Sequence, residues 1–276
     1  MILPFVREFF ADLDKSTSTD RVRQALAAGV GRRRISGLTA TARALYLPLL
    51  VRLAKAPVFV VVSDNHAAEA LQLAVQAACE LTGELDPSTV VRLPAHDVLP
   101  FENLSPHPDI QEQRAVTLWK ITRGAARLII LPIESACYRV FSAGHYANLA
   151  CTLRRGEEAD PEMLVAHLAG VGYQSVDMVE MRGQYALRGG IFDIYPPEMD
   201  GPLRIEFLGD EIESMRRFDP ETQRSSAPID EAILLPLTET PMTNALLSRV
   251  HTRLSRQHLQ GEEDAVHEAV EAEGTN

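Results

Sequence analysis

The first strong pattern along the chain is Pro57-Val58-Phe59-Val60-Val61-Val62, a β-branched apolar run with no polar alternation. Such a run predicts a strand buried on both faces of a parallel sheet. Asp64 follows in N-cap position, Ala67, Leu71, Ala74, Ala78 and Leu81 recur at helical spacing, and Thr82-Gly83 closes that helix. Val90 to Leu93 reads as a second short strand, followed by a proline-punctuated loop from Pro94 to Pro108. Ile110 to Thr122 is a helix with Val116, Leu118, Trp119 and Ile121 available for packing, and Arg127 to Leu131 is a third buried strand. Strand and helix alternating in this way predict right-handed crossovers and a parallel sheet. A further helix is expected before the first strand, where Pro48 should remove a hydrogen bond and kink it.

Near residue 151 the grammar changes. Asp160-Pro161 starts a helix that Gly170 ends. Gln184 to Arg188, Ile191 to Tyr195 and Leu203 to Leu208 then alternate apolar and polar positions between Gly and Pro turns. That is the pattern of antiparallel hairpins with one wet face. Leu246, Leu247, Val250 and Leu254 indicate one later amphipathic helix, and residues 261–276 carry acids without a single Lys or Arg.

Composition narrows the function classes. The 276 residues are 46% hydrophobic and 24% charged, enough for a sizeable core. Lys and Arg number 27 against 38 Asp and Glu, a formal net charge of −11. That balance opposes strong non-specific nucleic-acid binding, which needs cations to neutralise phosphates. A local basic patch such as Arg32-Arg33-Arg34 remains either a solvated edge or a phosphate contact. No apolar run long enough to span a membrane is present, and the first residues show no basic leader or cleavage site, so neither membrane nor secretion is expected. Cys79, Cys137 and Cys151 are too few and too scattered for a disulfide framework or a metal knuckle, and fit a cytoplasmic protein.

The stretch Gly37-Leu38-Thr39-Ala40-Thr41-Ala42-Arg43-Ala44 overlays the phosphate-loop pattern G-x-x-x-x-G-K-[ST]. Only Gly37 survives. Ala42 stands where the second glycine would let the backbone approach phosphate, Arg43 replaces the lysine, and Ala44 lacks the hydroxyl that holds magnesium. A one-glycine match arises by chance in many proteins, and on these residues alone an ordinary turn into a helix is the commoner reading; no ATP binding, cofactor or metal is expected. Asp210-Glu211-Ile212-Glu213 reads as a solvated turn, and the His96-Asp97 and His107/Asp109 pairs lack the spacing of a metal site. No nucleophile–base pair can be argued, so no catalytic residue is assigned.

Read in order, three segments resemble one family: Leu99 to Ile110 with Arg114, then Tyr185 to Pro196, then Leu203 to Glu213 followed by Phe218-Asp219. With the decayed loop, they are similar to the amino-terminal module of the bacterial transcription-repair coupling factors (Mfd), itself similar to the excision-repair protein UvrB. The resemblance implies an α/β fold: a RecA-like parallel-sheet domain with a degenerate phosphate loop, carrying an inserted small α+β domain that binds UvrA. Its expected boundaries are a helical, basic segment at 1–35, the RecA-like domain at 36–150, the UvrA-binding domain at 151–236, and a returning segment with an acidic tail at 237–276.

The family's interface residues match Arg188, Arg204, Glu206 and, where a Phe is frequent, Leu208. Alternation independently turns Ile205 and Phe207 inward and puts Arg204, Glu206 and Leu208 on the outward face. From the residues alone, Arg188 and Arg204 could instead be solvated strand arginines or an intrachain pair with Glu206. The implied function is a non-catalytic adaptor that recruits UvrA in transcription-coupled nucleotide excision repair. RNA polymerase, DNA and ATP hydrolysis would belong to other domains of the parent protein. The rival readings are the first part of UvrB and a residual nucleotide- or DNA-binding ATPase domain with Arg43 as phosphate contact. UvrB keeps a working loop and a long tyrosine-rich hairpin, whereas Pro94 to Asp109 here is short, with Phe101 its lone aromatic.

Overall fold

The computed structural model describes residues 2–242 apart from 30, 55, 100 and 103, together with 246, 248 and 251–253. The chain divides into two units. The first gathers the described residues up to Arg154, Pro196–Asp200 and Ile229–Glu239; the second gathers Arg155–Tyr195, Gly201–Pro228 and the described residues from Thr240 onward.

In the first unit, α1 (Ile2–Asp14) and α2 (Thr17–Ala27) meet at Ser16, whose hydroxyl accepts the Thr19 N–H and starts α2. α3 (Ala40–Leu53) runs unbroken through Pro48. The missing bond and ring clash cost about 3 kcal/mol. Burial of Tyr46, Leu49 and Val51 around the proline, at roughly 1.5–3 kcal/mol for each large apolar side chain, outweighs that cost.

β1 (Val58–Val62), α4 (Asn65–Thr82), β2 (Val90–Arg92), α5 (Pro108–Thr122) and β3 (Leu128–Pro132) follow with the expected alternation. The described strands pair in parallel in the order β1-β3-β2. Asp64 caps α4 through the Ala67 N–H, and Gly83 ends it at φ 71°. β3 is buried at every position, but Phe59 and Val61 of β1 are exposed. The expectation of two covered faces therefore fails for β1: its alternate residues Phe59 and Val61 lie on a face left exposed, while Val58, Val60 and Val62 pack against the core. α6 (Ile133–Cys137), α7 (Ala143–Ala147) and β4 (Cys151–Arg154) complete this part of the chain. The core joins Ala44 and Val51 of α3, Ala68, Val75 and Cys79 of α4, and Val90, Leu128 and Ile130 of the sheet.

The second unit opens with α8 (Pro161–Gly170), capped by the Asp160 carboxylate on the N–H groups of Glu162 and Met163. β5 (Gln174–Ser175), β6 (Gln184–Arg188), β7 (Ile191–Ile194), β8 (Leu203–Leu208), β9 (Glu211–Phe218) and β10 (Ser225–Pro228) form one sheet in the order β10-β9-β8-β7-β6-β5. All neighbours are antiparallel except β5 with β6. One face buries Phe192, Ile194, Leu203, Ile205, Ile212 and Met215. The opposite face is not wet throughout: Val176 and Val179 pack with Ala186, Tyr195 and Phe218 at one end.

The chain then returns to the first unit as β11 (Glu231–Leu234), paired with β4. Of the helix expected from Leu246, Leu247, Val250 and Leu254, residues 246, 248 and 251–253 are helical. Leu247, Val250, Leu254 and the acidic stretch 261–276 lie outside the described residues. No described helix is long and apolar enough to cross a membrane.

Candidate functional site

Strand register in the second unit builds a polar face. Two rows run across it: Ala186, Asp193, Arg204 and Arg216, and beside them Arg188, Ile191, Glu206 and Ser214. The hairpin between β6 and β7 fixes this register. Gly189 takes φ 61°, and a Cβ on Gly190 would lie 2.8 Å from the Phe207 carbonyl, so both positions of the turn require glycine. The Phe207 N–H donates to the Gly190 carbonyl at 2.7 Å, pinning the turn to β8.

At the centre stands Asp193, 1% exposed. Its Oδ1 accepts from Arg204 Nε at 2.7 Å and its Oδ2 from Arg204 Nη2 at 2.8 Å, a two-point fork. The same Oδ2 accepts from Arg188 Nη2 at 2.9 Å. The Arg204 side chain, 19% exposed, also lies 4.7 Å above the Phe218 ring and reaches the Gln223 carbonyl at 3.4 Å. Its bonds to the Asp193 carboxylate raise its pKa above the ordinary arginine value. The loop that closes over it is ordered by Asp219, which accepts the N–H groups of Glu221 and Thr222 and is held below the usual carboxylate range by them. Arg188, by contrast, keeps a side-chain exposure of 52%.

Glu206 pairs with Arg216 at 2.9 Å and accepts the Ser214 hydroxyl. Leu208, 70% exposed, ends the same face just before the Gly209-Asp210 turn. The structure thus brings Arg188, Arg204, Glu206 and Leu208 onto one face. It does not join either arginine to Glu206, and Arg204 is not a solvated strand arginine. Asp193 lies directly opposite Arg204 in register, about 5 Å away at Cβ, whereas Glu206 is two residues along the same strand, about 6.7 Å on. Asp193 and Arg216 went unnoticed in the sequence. For Asp193 the signal was present: a lone acid at an outward position of an apolar strand. Three guanidinium groups against two carboxylates leave the cluster net positive, suited to a carboxylate-bearing surface.

The phosphate-loop residues occupy different roles. Gly37 turns at φ 83°, but residues 31–36 before it are irregular rather than a strand. The Thr39 hydroxyl caps α3 by accepting the Ala42 N–H at 3.2 Å. Ala44 is buried in the core, and Arg43 is exposed. Beside them lies a cavity of about 740 Å³ between α3, α4 and the end of β1, lined chiefly by alanines, Leu71, Val61 and Val62, with Arg43 the one cation among its described lining residues. Such a lining offers a triphosphate few donors.

The two His–acid pairs have structural partners. His107 caps α5 and donates its N–H to Asp97 at 3.0 Å. His96 lies 3.4 Å from Glu239, which is held in turn by the buried Arg114. Among the described residues no group of three or more His, Cys, Asp or Glu is placed to hold a metal ion.

Comparison with known proteins bears on the same residues. Residues 151–239, which include the whole polar face, match the family described as the UvrB interaction domain. Over 220 residues, 79% of its length, the chain is 32% identical to the transcription-repair-coupling factor of Myxococcus xanthus. The chain is a relative of the transcription-repair-coupling factors. It is 30% identical to that of Escherichia coli K12 over 67% of its length, and 26% identical to that of Bacillus subtilis 168 over 72%. These matches cover 18%, 17% and 16% of the three relatives, so the chain spans less than a fifth of the length of the curated relatives it matches.

Proposed function

We propose that this chain is the UvrA-recruiting adaptor module of a transcription-repair-coupling factor, acting in the cytoplasm in transcription-coupled nucleotide excision repair. One observation carries the reading. Within the stretch that matches the UvrB interaction domain, Arg188, Arg204, Glu206 and Leu208 share one face, with a net positive ion-pair cluster beside an exposed leucine. A cationic cluster with an apolar neighbour meets a partner that offers carboxylates around an apolar contact. The segment 151–236 is then the UvrA-binding domain, 36–150 a RecA-like scaffold whose phosphate loop has decayed, and 237–276 the start of its return.

The module itself performs no catalysis and takes no cofactor in this reading. The burial of Ala44 and the apolar cavity beside Arg43 support that reading. RNA polymerase, DNA and ATP hydrolysis fall to parts of the longer relatives outside this chain. A pull-down of purified UvrA by this chain tests the proposal. Retention of UvrA by the unaltered chain and its loss with Arg188→Ala are expected, alongside no signal in a fluorescent-ATP titration. Equal retention by both chains would remove the assigned face, and micromolar ATP binding would remove the decayed-loop reading.

A further inference from the structure

We propose that Asp193 is a positioning residue for partner recognition: it holds Arg188 in the orientation that an acidic partner surface meets. The proposal rests on the reading of this face as the UvrA contact. Asp193 is itself sealed from solvent, so it cannot touch a partner and acts only through the arginines. Its two arginines differ. Arg204 grips both carboxylate oxygens and is closed in by Phe218 and Gln223, so it locks the carboxylate plane. Arg188 takes a single bond to Oδ2 and leaves half of its side chain in solvent. Arg204 therefore fixes Asp193, and Asp193 fixes Arg188 beside Ile191, with Glu206 one strand further across the face. An exposed arginine held in this way loses less rotamer freedom when a carboxylate docks on it.

Charge and positioning make opposite demands, which makes the idea testable. Asp193→Asn keeps the shape but removes a negative charge, so the face becomes more positive. If net charge alone governed association with an acidic partner, the variant would bind faster and more tightly. If Asp193 positions Arg188, kon holds or rises while koff rises by about tenfold. The experiment is binding kinetics of immobilised full chain with UvrA at two salt concentrations, for the unaltered chain, Asp193→Asn, Arg188→Ala and the double variant. We expect Asp193→Asn to raise koff in the unaltered background and to change it by less than about twofold once Arg188 is gone.

An equal effect of Asp193→Asn in both backgrounds, or tighter binding, overturns the positioning role. Loss of binding with Arg188→Ala and none with Asp193→Asn overturns it too, while leaving the UvrA face in place. No effect of Arg188→Ala overturns both. Should Asp193→Asn fail to fold with Arg204 left unpaired, the same cycle is run with Asp193→Glu, which keeps the charge that pairs with Arg204 and shifts the carboxylate by one methylene. There koff rises only while Arg188 is present if the proposal holds; an equal change with and without Arg188, or no change at all, overturns it.

Discussion

Arg114 of α5 and Glu239, 125 residues apart in sequence, form a buried ion pair with Nε 2.6 Å from Oε1. Arg114 is 2% exposed and also donates to the Pro94 carbonyl at 2.6 Å and the Ser135 hydroxyl at 3.1 Å. Glu239 ends the stretch that matches the UvrB interaction domain, and its carbonyl lies 2.9 Å from His145 Nε2. One guanidinium thus ties the returning chain to the loop before α5 and to α6, all within the first unit. Removing one partner of a buried pair leaves the other charged and unpaired, which costs about 3 kcal/mol or more. Arg114→Ala is expected to lower stability by that amount in urea unfolding; a change below about 0.5 kcal/mol, typical of surface substitutions, would show that the pair is not structural.

His96 sits against this pair, and burial together with the Arg114 charge pushes its pKa below the usual 6.5, more than Glu239 and Asp97 raise it. The unfolded chain therefore binds this proton more readily than the folded one. The stabilising contribution of neutral His96 is complete above pH 6.5 and fades as pH falls through the lower folded value. Thermal melts between pH 7.5 and 5 should fall less steeply for His96→Gln than for the unaltered chain. Parallel pH profiles would contradict this.

Cys79 faces the core of the first unit, and burial, with Asp86 and Glu80 nearby, raises its thiol pKa to about 11. Cys137 is exposed. A thiol reagent at neutral pH should label Cys137 within minutes and Cys79 only on unfolding, because the thiolate is the reactive form. Mass mapping of the labelled peptides reads the order, and early labelling of Cys79 would contradict the packing.

Placing phosphate-loop residues at the start of α3 should not create a phosphate site. In Ala42→Gly/Arg43→Lys/Ala44→Thr the new hydroxyl enters the core beside Val51 and Ala68, at a cost of about 1–3 kcal/mol if it finds no partner. The expected result is a lower melting temperature and no ATP binding by calorimetry. Tight ATP binding by the triple variant would reverse this reading of α3.

The fold was legible where local chemistry decides it. Asp64 and Gly83 bracket α4, Asp160-Pro161 starts α8, and Gly189-Gly190 joins two strands, each through a backbone requirement carried by the residue itself. Period-two alternation sufficed to place Arg204, Glu206 and Leu208 together. What stayed hidden depends on neighbours distant in sequence. Phe59 and Val61 share the apolar run of a central strand, and only the packing of helices on the sheet decides that their face of β1 stays exposed. Ala44 stands at a hydroxyl position by spacing, but packing puts it in the core. The link from Arg204 to Asp193 needs the β7–β8 register, and that from Arg114 to Glu239 needs the chain to return.

The most direct measurement is calorimetric titration of UvrA into the unaltered chain and into Arg188→Ala, whose exposed side chain can be removed without emptying the core. Saturable binding by the first, weakened at least tenfold in the second with the melting temperature unchanged, is the predicted result. Absence of binding by the unaltered chain, or identical affinity for the two, would contradict the account.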